Sequence, residues 1–186
     1  MTIFAIKAHS MLVQPISNRR IMKIYFSHGK ESGPWGSKIK KLADIAKIHG
    51  YLVDSIDYSD ILDPELRVER LIKLLKNVEE EFLLVGSSMG GYVSLVASEH
   101  VNAKGVFLLA PALFIQGYQQ QSYYCANHTE IVHGWSDEVI PPENSIKFAQ
   151  QANCSLHLIA GDHRLNSSMV EVEKLFSNFL LRFQPM

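Results

Sequence analysis

The sequence predicts a three-layer α/β fold, in which a mostly parallel central sheet is covered by helices on both faces. From Met22 onward, short apolar runs alternate with longer segments of helical periodicity, which is the pattern of such a sheet. Most of the short runs are continuously apolar, as expected of strands that are buried on both faces. A chain of 186 residues fits one domain of usual size, so we predict one domain over residues 22–186.

The alternation defines eleven elements. The apolar runs are the predicted strands, at residues 23–27, 52–57, 82–86, 105–109, 130–133 and 155–159. The predicted helices have apolar residues at helical spacing, at residues 37–49, 65–78, 89–100, 143–151 and 169–183. The first helix stops at Gly50, a residue type common after the last helical turn. The second helix follows Asp63 and Pro64, which are typical of an N-cap and of the first helical position.

Two segments fall outside this alternation. Residues 111–128 are rich in Gln and Tyr and show neither period, so they are either a short flap that forms a minimal cap over an active site or an ordinary surface loop. Residues 1–21 are predicted to be an N-terminal extension or a leading strand. Lys7, His9 and Gln14 interrupt their apolar runs, whereas a signal peptide needs an uninterrupted apolar region after a basic start.

Composition argues against several classes of protein. The chain has 18 Lys and Arg against 19 Asp and Glu, and it shows no basic stripe of the kind that binds a nucleic acid. No apolar run approaches the roughly 18 residues that span a bilayer. Cys125 and Cys154 follow neither a CxxC nor a metal-binding spacing, and two cysteines do not make a disulfide framework. We therefore expect a cytoplasmic protein, a monomer or homodimer, without a metal, membrane or nucleic-acid partner.

A candidate nucleophile stands where the strand at 82–86 meets the helix at 89–100. The sequence Gly86-Ser87-Ser88-Met89-Gly90 has the form Gly-x-Ser-x-Gly, and strand, turn and helix follow each other as this motif requires. Glycines are needed two residues to either side because the turn is sharp and brings neighbouring backbones close together. The frame selects Ser88, since position 85 would have to be glycine for Ser87 to be central, and it is valine. Ser88 also precedes a helix N-terminus, which favours a developing negative charge.

A serine hydroxyl needs a histidine base, and in this strand-turn-helix context the chain order is Ser, then acid, then His. The histidines that follow Ser88 are His128, His133, His157 and His163. His163 comes directly after the last predicted strand, where a loop can bring its ring over the carboxyl edge of the sheet. Of the others, the first lies in the irregular segment, the second precedes the candidate acid, and the third lies within a strand. The sequence therefore predicts His163 as the base.

The acid is expected in the loop after the preceding strand. Asp137 and Glu138 both lie there, and Asp162 is next to the base. We favour Asp137 because the apolar residues 139–141 can anchor the loop while the carboxylate points at the histidine. The position of Asp137 in the loop carries this prediction, because an acidic pair in a loop is more often solvated surface.

The oxyanion of an acyl-transfer reaction needs two backbone N–H donors. The N–H of Met89, directly after the nucleophile, is one candidate. The other is the N–H of Lys30 in the loop after the first strand, where Gly29 permits an unusual turn; the Lys30 side chain is directed elsewhere, toward a carboxylate of the substrate. Gly29, Lys30 and Tyr92 are the candidate substrate-binding residues. His28 is expected to brace the loop by hydrogen bonds and not to react.

Together these segments resemble a known family. His28-Gly29, the run from Val85 to Tyr92, Leu109-Ala110-Pro111, the loop from Gly134 to Pro141, and Gly161-Asp162-His163 are similar to those of the small YqiA-type esterases (UPF0227-type) of the α/β-hydrolase superfamily. The resemblance implies the α/β-hydrolase fold and hydrolysis of small acyl esters or thioesters through an acyl-serine intermediate, without a metal or organic cofactor. A peptidase or C–C-bond hydrolase with the same triad, or a binding protein without turnover, stays open, because fold and triad do not fix the reaction.

Overall fold

The computed structural model describes residues 21–125 and 128–184. Its strands are β1 (Lys23–Ser27), β2 (Leu52–Ile56), β3 (Phe82–Ser87), β4 (Ala103–Leu109), β5 (Thr129–Gly134) and β6 (Ser155–Ile159). Its helices are α1 (Ser37–Ile48), α2 (Pro64–Leu75), α3 (Met89–Ser98), α4 (Pro142–Ala152) and α5 (Met169–Leu181). The predicted extension or leading strand over residues 1–21 lies outside the described residues except for Ile21. Across the described residues, every helix is too short or too polar to traverse a lipid bilayer.

The strands form a sheet in the order β2-β1-β3-β4-β5-β6, and each pair of neighbours is parallel. Successive side chains of a strand point to opposite faces. Leu84 of β3 accordingly packs with α2, α3 and α4, whereas Leu83 and Val85 pack with α1 and α5. Helices therefore cover both faces of the sheet, and the predicted three-layer α/β architecture is confirmed.

The order of the strands determines where a ligand can bind. The chain leaves β1 toward β2 at one edge, crosses back to β3 on the other side of β1, and then proceeds outward through β4, β5 and β6. This reversal between β1 and β3 is a topological switch point, and in open α/β sheets the crevice outside the carboxyl ends of the strands at that point is the usual binding site. The loop after β1 and the turn after β3 both open into that crevice.

Most ends of the predicted elements agree with the structure within two residues, and the exception has a local cause. The second helix was expected to reach Val78 but ends at Leu75, because the Val78 N–H donates to the Leu75 carbonyl and the chain turns there. β4 begins at Ala103, two residues earlier than the apolar run, because the pairing with β3 shifts register beside Phe82 and accommodates the charged Lys104. Tertiary pairing thus extends a strand beyond its apolar residues.

The described part of the irregular segment, residues 111–125, contains no helix or strand and packs on the sheet and on α3. Leu113 is buried in the core, and the rings of Tyr118 and Tyr123 lie edge-on to the ring of Tyr92. The segment is therefore a loop held by aromatic contacts, and its residues Ala112, Ile115 and Tyr118 contribute one wall of the cavity described below.

Candidate active site

Ser88 occupies a strained turn between β3 and α3. Its backbone angles are φ 56° and ψ −122°, which lie in a region that residues other than glycine rarely adopt. The flanking glycines permit this turn, because a Cβ on Gly86 would overlap the backbone of Gly90, and a Cβ on Gly90 would overlap the carbonyl of Ser27. The strain and the close approach of three backbone segments hold the Ser88 side chain at the carboxyl edge of the sheet.

The Ser88 hydroxyl lies at one end of a continuous chain of hydrogen bonds. Its Oγ is 3.0 Å from Nε2 of His163, and Nδ1 of the same ring is 2.7 Å from Oδ2 of Asp137. A carboxylate can only accept, so Nδ1 carries the proton and Nε2 presents a lone pair to the serine hydroxyl. The structure therefore brings together the three side chains that the sequence predicted, with the imidazole in the tautomer that can accept a proton from Ser88.

Four donors hold the Asp137 carboxylate. Its Oδ1 accepts from the N–H groups of Val139 and Ile140 at 2.9 and 2.8 Å, and its Oδ2 accepts from His163 and His133 at 2.7 and 2.9 Å. Burial by itself raises the pKa of Asp137, but the bonds from Ile140, His163 and Val139 outweigh it and bring the pKa below its usual value. Asp137 is thus an ionised and fixed carboxylate at neutral pH.

His133 is a member of this network that the sequence did not assign to the site. Its Nε2 faces both Asp137 Oδ2 and the Ile140 carbonyl, which are acceptors, so Nε2 carries the proton. Its Nδ1 then accepts from the Ser145 hydroxyl at 2.7 Å. The ring is completely buried, and burial lowers its pKa below the usual value, which keeps it neutral. The available signal was a histidine within a buried strand, four residues before Asp137, whose ring nitrogens must find partners.

The alternative acids and bases lie elsewhere. The His157 ring pairs with Glu130 at 2.9 Å, and His128 packs edge-on against the ring of Phe183. Glu138 is exposed at the rim of the cavity. Asp162 is also exposed, and its Oδ1 accepts from the two backbone N–H groups that follow His163 in the chain. The Asp162 carboxylate therefore stabilises the turn after His163.

The loop after β1 approaches Ser88 closely. A Cβ built on Gly29 would lie 3.5 Å from the Ser88 Cβ, in ordinary contact. His28 braces this loop, because its Nε2 accepts from the Tyr58 N–H at 3.0 Å and its Nδ1–H donates to the Gly29 carbonyl at 2.7 Å. The structure thus gives His28 the bracing contacts that the sequence predicted.

A buried arginine on α2 completes the support of this loop. Arg67 is 1% exposed, and its Nη1 donates to the carbonyls of His28 and Gly29, each at 3.3 Å. Its Nε and Nη2 donate to the carbonyls of Ile61 and Tyr58 at 2.8 and 3.3 Å. Backbone oxygens, and not a carboxylate, therefore satisfy this guanidinium. Nothing in the linear sequence near His28 indicated this contact, which joins residues 38 positions apart.

A cavity of about 960 Å³ opens beside Ser88 and His163. Gly29, Lys30 and Met89 line it, as expected of candidate oxyanion and substrate-binding residues. Tyr92 does not, and the prediction that Tyr92 binds substrate is wrong. Its side chain is fully buried, and its hydroxyl donates to Glu65 at 2.7 Å. All residues of α3 are buried, and the Tyr92 side chain lies in the core behind Ser88.

Lys38 of α1 is a further charged residue in the cavity wall. It is half-buried, and its Nζ donates to the hydroxyl of Ser87 at 3.3 Å. Burial lowers its pKa to about 8, against the opposing influence of Asp162 and Asp137. By contrast, the side chain of Lys30 is exposed. Among the residues that the structure describes, no group of three or more His, Cys, Asp or Glu is arranged to hold a metal ion.

Several solved structures are similar to this chain. A proposed hydrolase of the alpha/beta superfamily from Xanthomonas campestris pv. campestris is 28% identical, with a TM-score of 0.79 over 87% of this chain and 98% of the other. Est1E from Butyrivibrio proteoclasticus is 17% identical, with a TM-score of 0.72 over 89% of each chain. The mouse alpha/beta hydrolase domain-containing protein 10 is 16% identical, with a TM-score of 0.69 over 86% of this chain and 90% of the other. The predicted α/β-hydrolase fold is thereby confirmed.

Sequence comparison adds one match. The model of an uncharacterised protein family, UPF0227, matches residues 22–123, which include β1, the Ser88 turn and the first part of the loop after β4. A search among curated proteins found no match.

Proposed function

This chain belongs to the UPF0227 family of uncharacterised proteins, and from that premise we propose that it is a serine hydrolase that cleaves small acyl esters or thioesters. In this proposal Ser88 is the nucleophile, His163 the general base, and Asp137 the acid that orients the base. The observation that carries it is the unbroken hydrogen-bonded chain from the Ser88 hydroxyl through the His163 ring to the Asp137 carboxylate.

The proposed reaction follows from the tautomer of His163. Ser88 Oγ attacks the carbonyl carbon of the ester while its proton passes to His163 Nε2, and the carbonyl oxygen becomes an oxyanion. The tetrahedral intermediate collapses to an acyl-serine, and the departing alcohol or thiol takes the proton from His163. Water then attacks the acyl carbon with the same base, and the products are a carboxylic acid and free Ser88. Asp137 keeps the ring oriented and stabilises its protonated form, because four donors prevent the carboxylate from turning.

Two backbone N–H groups are proposed to bind the oxyanion, those of Met89 and Lys30. Met89 is the first residue of α3, where N–H groups have no partner inside the helix. The Lys30 N–H belongs to the same trans peptide as the Gly29 carbonyl, and the two groups point in opposite directions. Since His28 and Arg67 both donate to that carbonyl, the Lys30 N–H is directed away from them. The two donors also polarise the peptide, which strengthens Lys30 as a donor.

A fluorophosphonate probe tests the nucleophile. Intact-mass analysis of the wild-type protein is expected to show one adduct, because the probe reacts with an activated serine and leaves its phosphonyl group on Oγ. Ser88→Ala is expected to abolish the adduct and to lower kcat on a short 4-nitrophenyl ester by about 10⁴-fold or more. Ser87→Ala is the matched control, because it removes the neighbouring hydroxyl and should leave the adduct in place.

The outcome separates the alternatives. An adduct that persists in Ser88→Ala places the nucleophile at another residue and contradicts the proposal. Absence of any adduct in the wild type supports a binding protein without turnover. Cleavage of the matching 4-nitroanilide as fast as the ester would indicate a peptidase, whereas an esterase is expected to prefer the ester strongly.

A further inference from the structure

Lys38 places a positive charge in the cavity wall, in contact with the residue that precedes the proposed nucleophile Ser88. Its Nζ donates to Ser87 Oγ at 3.3 Å, and the side chains of Lys38, Ser87 and Ser88 all line the same cavity. An ammonium has three N–H donors, and Ser87 is the acceptor that the structure provides for one of them. Two donors therefore remain for a molecule in the cavity.

Among the residues that the structure describes, Lys38 also has no close counter-ion. Within residues 21–125 and 128–184, no carboxylate forms an ion pair with its ammonium, and Asp162 and Asp137 act on it only at longer range. A cation that is partly removed from water without a close anion is destabilised. An anion that enters the cavity would relieve this cost, because the lysine is already partly desolvated before the anion binds.

The other lysine, arginine and acidic residues of the wall are less suited to this task. Lys30, Glu31, Glu138 and Arg164 are all exposed, and water and salt screen exposed charges strongly. Asp162, also exposed, is engaged with backbone N–H groups through its Oδ1. Lys38 is thus the charged wall residue that solvent screens least among those described.

We propose that the substrate is an ester or thioester that carries a carboxylate, and that Lys38 binds this carboxylate while Ser88 attacks the acyl carbon. This inference rests on the proposed serine hydrolase function and adds the chemical class of the substrate. Lys38 is therefore a specificity-determining residue, and the Ser87 hydroxyl holds its ammonium toward the cavity.

Matched esters test the inference. On the acyl side, 4-nitrophenyl hemiadipate is compared with 4-nitrophenyl hexanoate, which has a methyl group in place of the carboxylate. On the leaving-group side, 4-carboxyphenyl hexanoate is compared with 4-methylphenyl hexanoate. Lys38→Met is expected to lower kcat/KM for the charged ester of at least one pair by about 10- to 100-fold, the effect of one charge-assisted hydrogen bond. The uncharged esters should change by less than about twofold, which also shows that the variant is folded.

Lys40→Met is the matched control, because Lys40 lies on the same helix, is exposed and is not part of the cavity wall. It is expected to leave kcat/KM for all four esters unchanged.

A second readout is the pH dependence of the preference for the charged ester. As the pH rises through about 8, Lys38 loses its charge, so the wild-type preference for the charged ester should fall. Both members of a pair react through His163 and Asp137, so the pH dependence of the chemical step cancels in their ratio, and any dependence that persists in Lys38→Met comes from other charged neighbours such as Asp162. Lys38→Arg, which stays charged, should retain the preference.

Two results would overturn the inference while the proposed function stands. If Lys38→Met slows charged and uncharged esters equally, Lys38 supports the nucleophile turn and does not bind substrate. If Lys38→Met slows the charged ester of neither pair, Lys38 does not bind a substrate carboxylate. A wild-type protein that hydrolyses none of the four esters and gains no fluorophosphonate adduct on Ser88 instead refutes the proposed function, and this inference with it.

Discussion

Replacement of Arg67 by methionine tests whether α2 orients the loop after β1, which contains Lys30, the second proposed oxyanion donor. Arg67→Met keeps most of the buried stem and removes the guanidinium that donates to the carbonyls of His28 and Gly29. We expect two separable effects, a loss of stability and a loss of transition-state binding. The second is expected because the Lys30 N–H is oriented through the Gly29 carbonyl.

The loss of stability follows from the carbonyls that lose a donor. The Gly29 carbonyl keeps the His28 ring, and the Tyr58 carbonyl keeps the Ile61 N–H. Within the described residues, the carbonyls of His28 and Ile61 receive no other hydrogen bond. A buried acceptor without a donor, such as the His28 carbonyl, costs about 1–3 kcal/mol, the half-buried Ile61 carbonyl costs less, and removal of a buried charge offsets part of the sum. A net loss of about 3 kcal/mol corresponds to a decrease in Tm of roughly 6–12 °C for a domain of this size.

The kinetic effect is bounded by the worth of one oxyanion donor. Complete loss of such a donor costs about 10²- to 10³-fold in kcat. Because His28 still holds the Gly29 carbonyl, we expect a smaller decrease of roughly 10- to 100-fold. The decrease should appear in kcat with KM nearly unchanged, since the oxyanion exists only after attack. Steady-state kinetics on a 4-nitrophenyl ester well below the Tm of the variant, together with thermal unfolding, measures both.

Arg70→Met is the matched control for this experiment. Arg70 lies three residues further along α2, and its contacts with Asp57 and Asp60 are at the surface. It is expected to leave kcat unchanged and to have little effect on Tm, because exposed ion pairs contribute little. If Arg67→Met lowers Tm but keeps the wild-type kcat, the guanidinium only stabilises the fold, and the reasoning about the Lys30 N–H is refuted.

Two further predictions concern the site and its turn. His133→Phe removes one of the two ring donors on Asp137 Oδ2 and should lower kcat/KM by about tenfold. His133→Gln, whose amide can still donate, should retain most of the activity. Wild-type activity in the phenylalanine variant would show that the bond is dispensable. Gly90→Ala should destabilise the protein by about 3 kcal/mol or yield no folded protein, because its Cβ would overlap a backbone carbonyl of β1. Gly33→Ala is the control, because its Cβ would meet no atom, and it should have the free energy of unfolding of the wild type. Denaturant titration compares the two alanine variants.

The sequence was sufficient for the parts of the site that obey local rules. Gly86 and Gly90 are required because other backbone segments lie too close for a Cβ at these positions. This requirement appears in the sequence as two glycines within five residues. The order of Ser88, Asp137 and His163 follows from a parallel sheet whose carboxyl ends all meet at one edge. Each of these predictions needed only the alternation of strands and helices and the loop that follows each strand.

The residues that the sequence did not reveal act through long-range contacts. Arg67 reaches Gly29 from α2, and Lys38 of α1 reaches Ser87 at the end of β3, so neither pair has a spacing that a pattern could detect. Tyr92 shows the opposite error. Its closeness to the Gly-x-Ser-x-Gly motif suggested that Tyr92 lies in the site. Every residue of α3 is buried, however, so a position near Ser88 in the sequence does not imply that a side chain of this helix is exposed to the cavity.

The loop between β4 and β5 offers a way to alter selectivity without rebuilding the protein. At Gly117 the chain is exposed and no neighbour lies close, although its φ of 92° favours glycine, and Tyr118, the next residue, already borders the cavity. Loop tips of this kind accept insertions because they belong to no helix or strand, although an insertion here would break the hydrogen bond from the Tyr118 N–H to the Ile115 carbonyl. If the proposed function holds, longer sequences grafted at this point would reshape the entrance for bulkier acyl groups, while Ser88, Asp137 and His163 remain on the rigid sheet edge below.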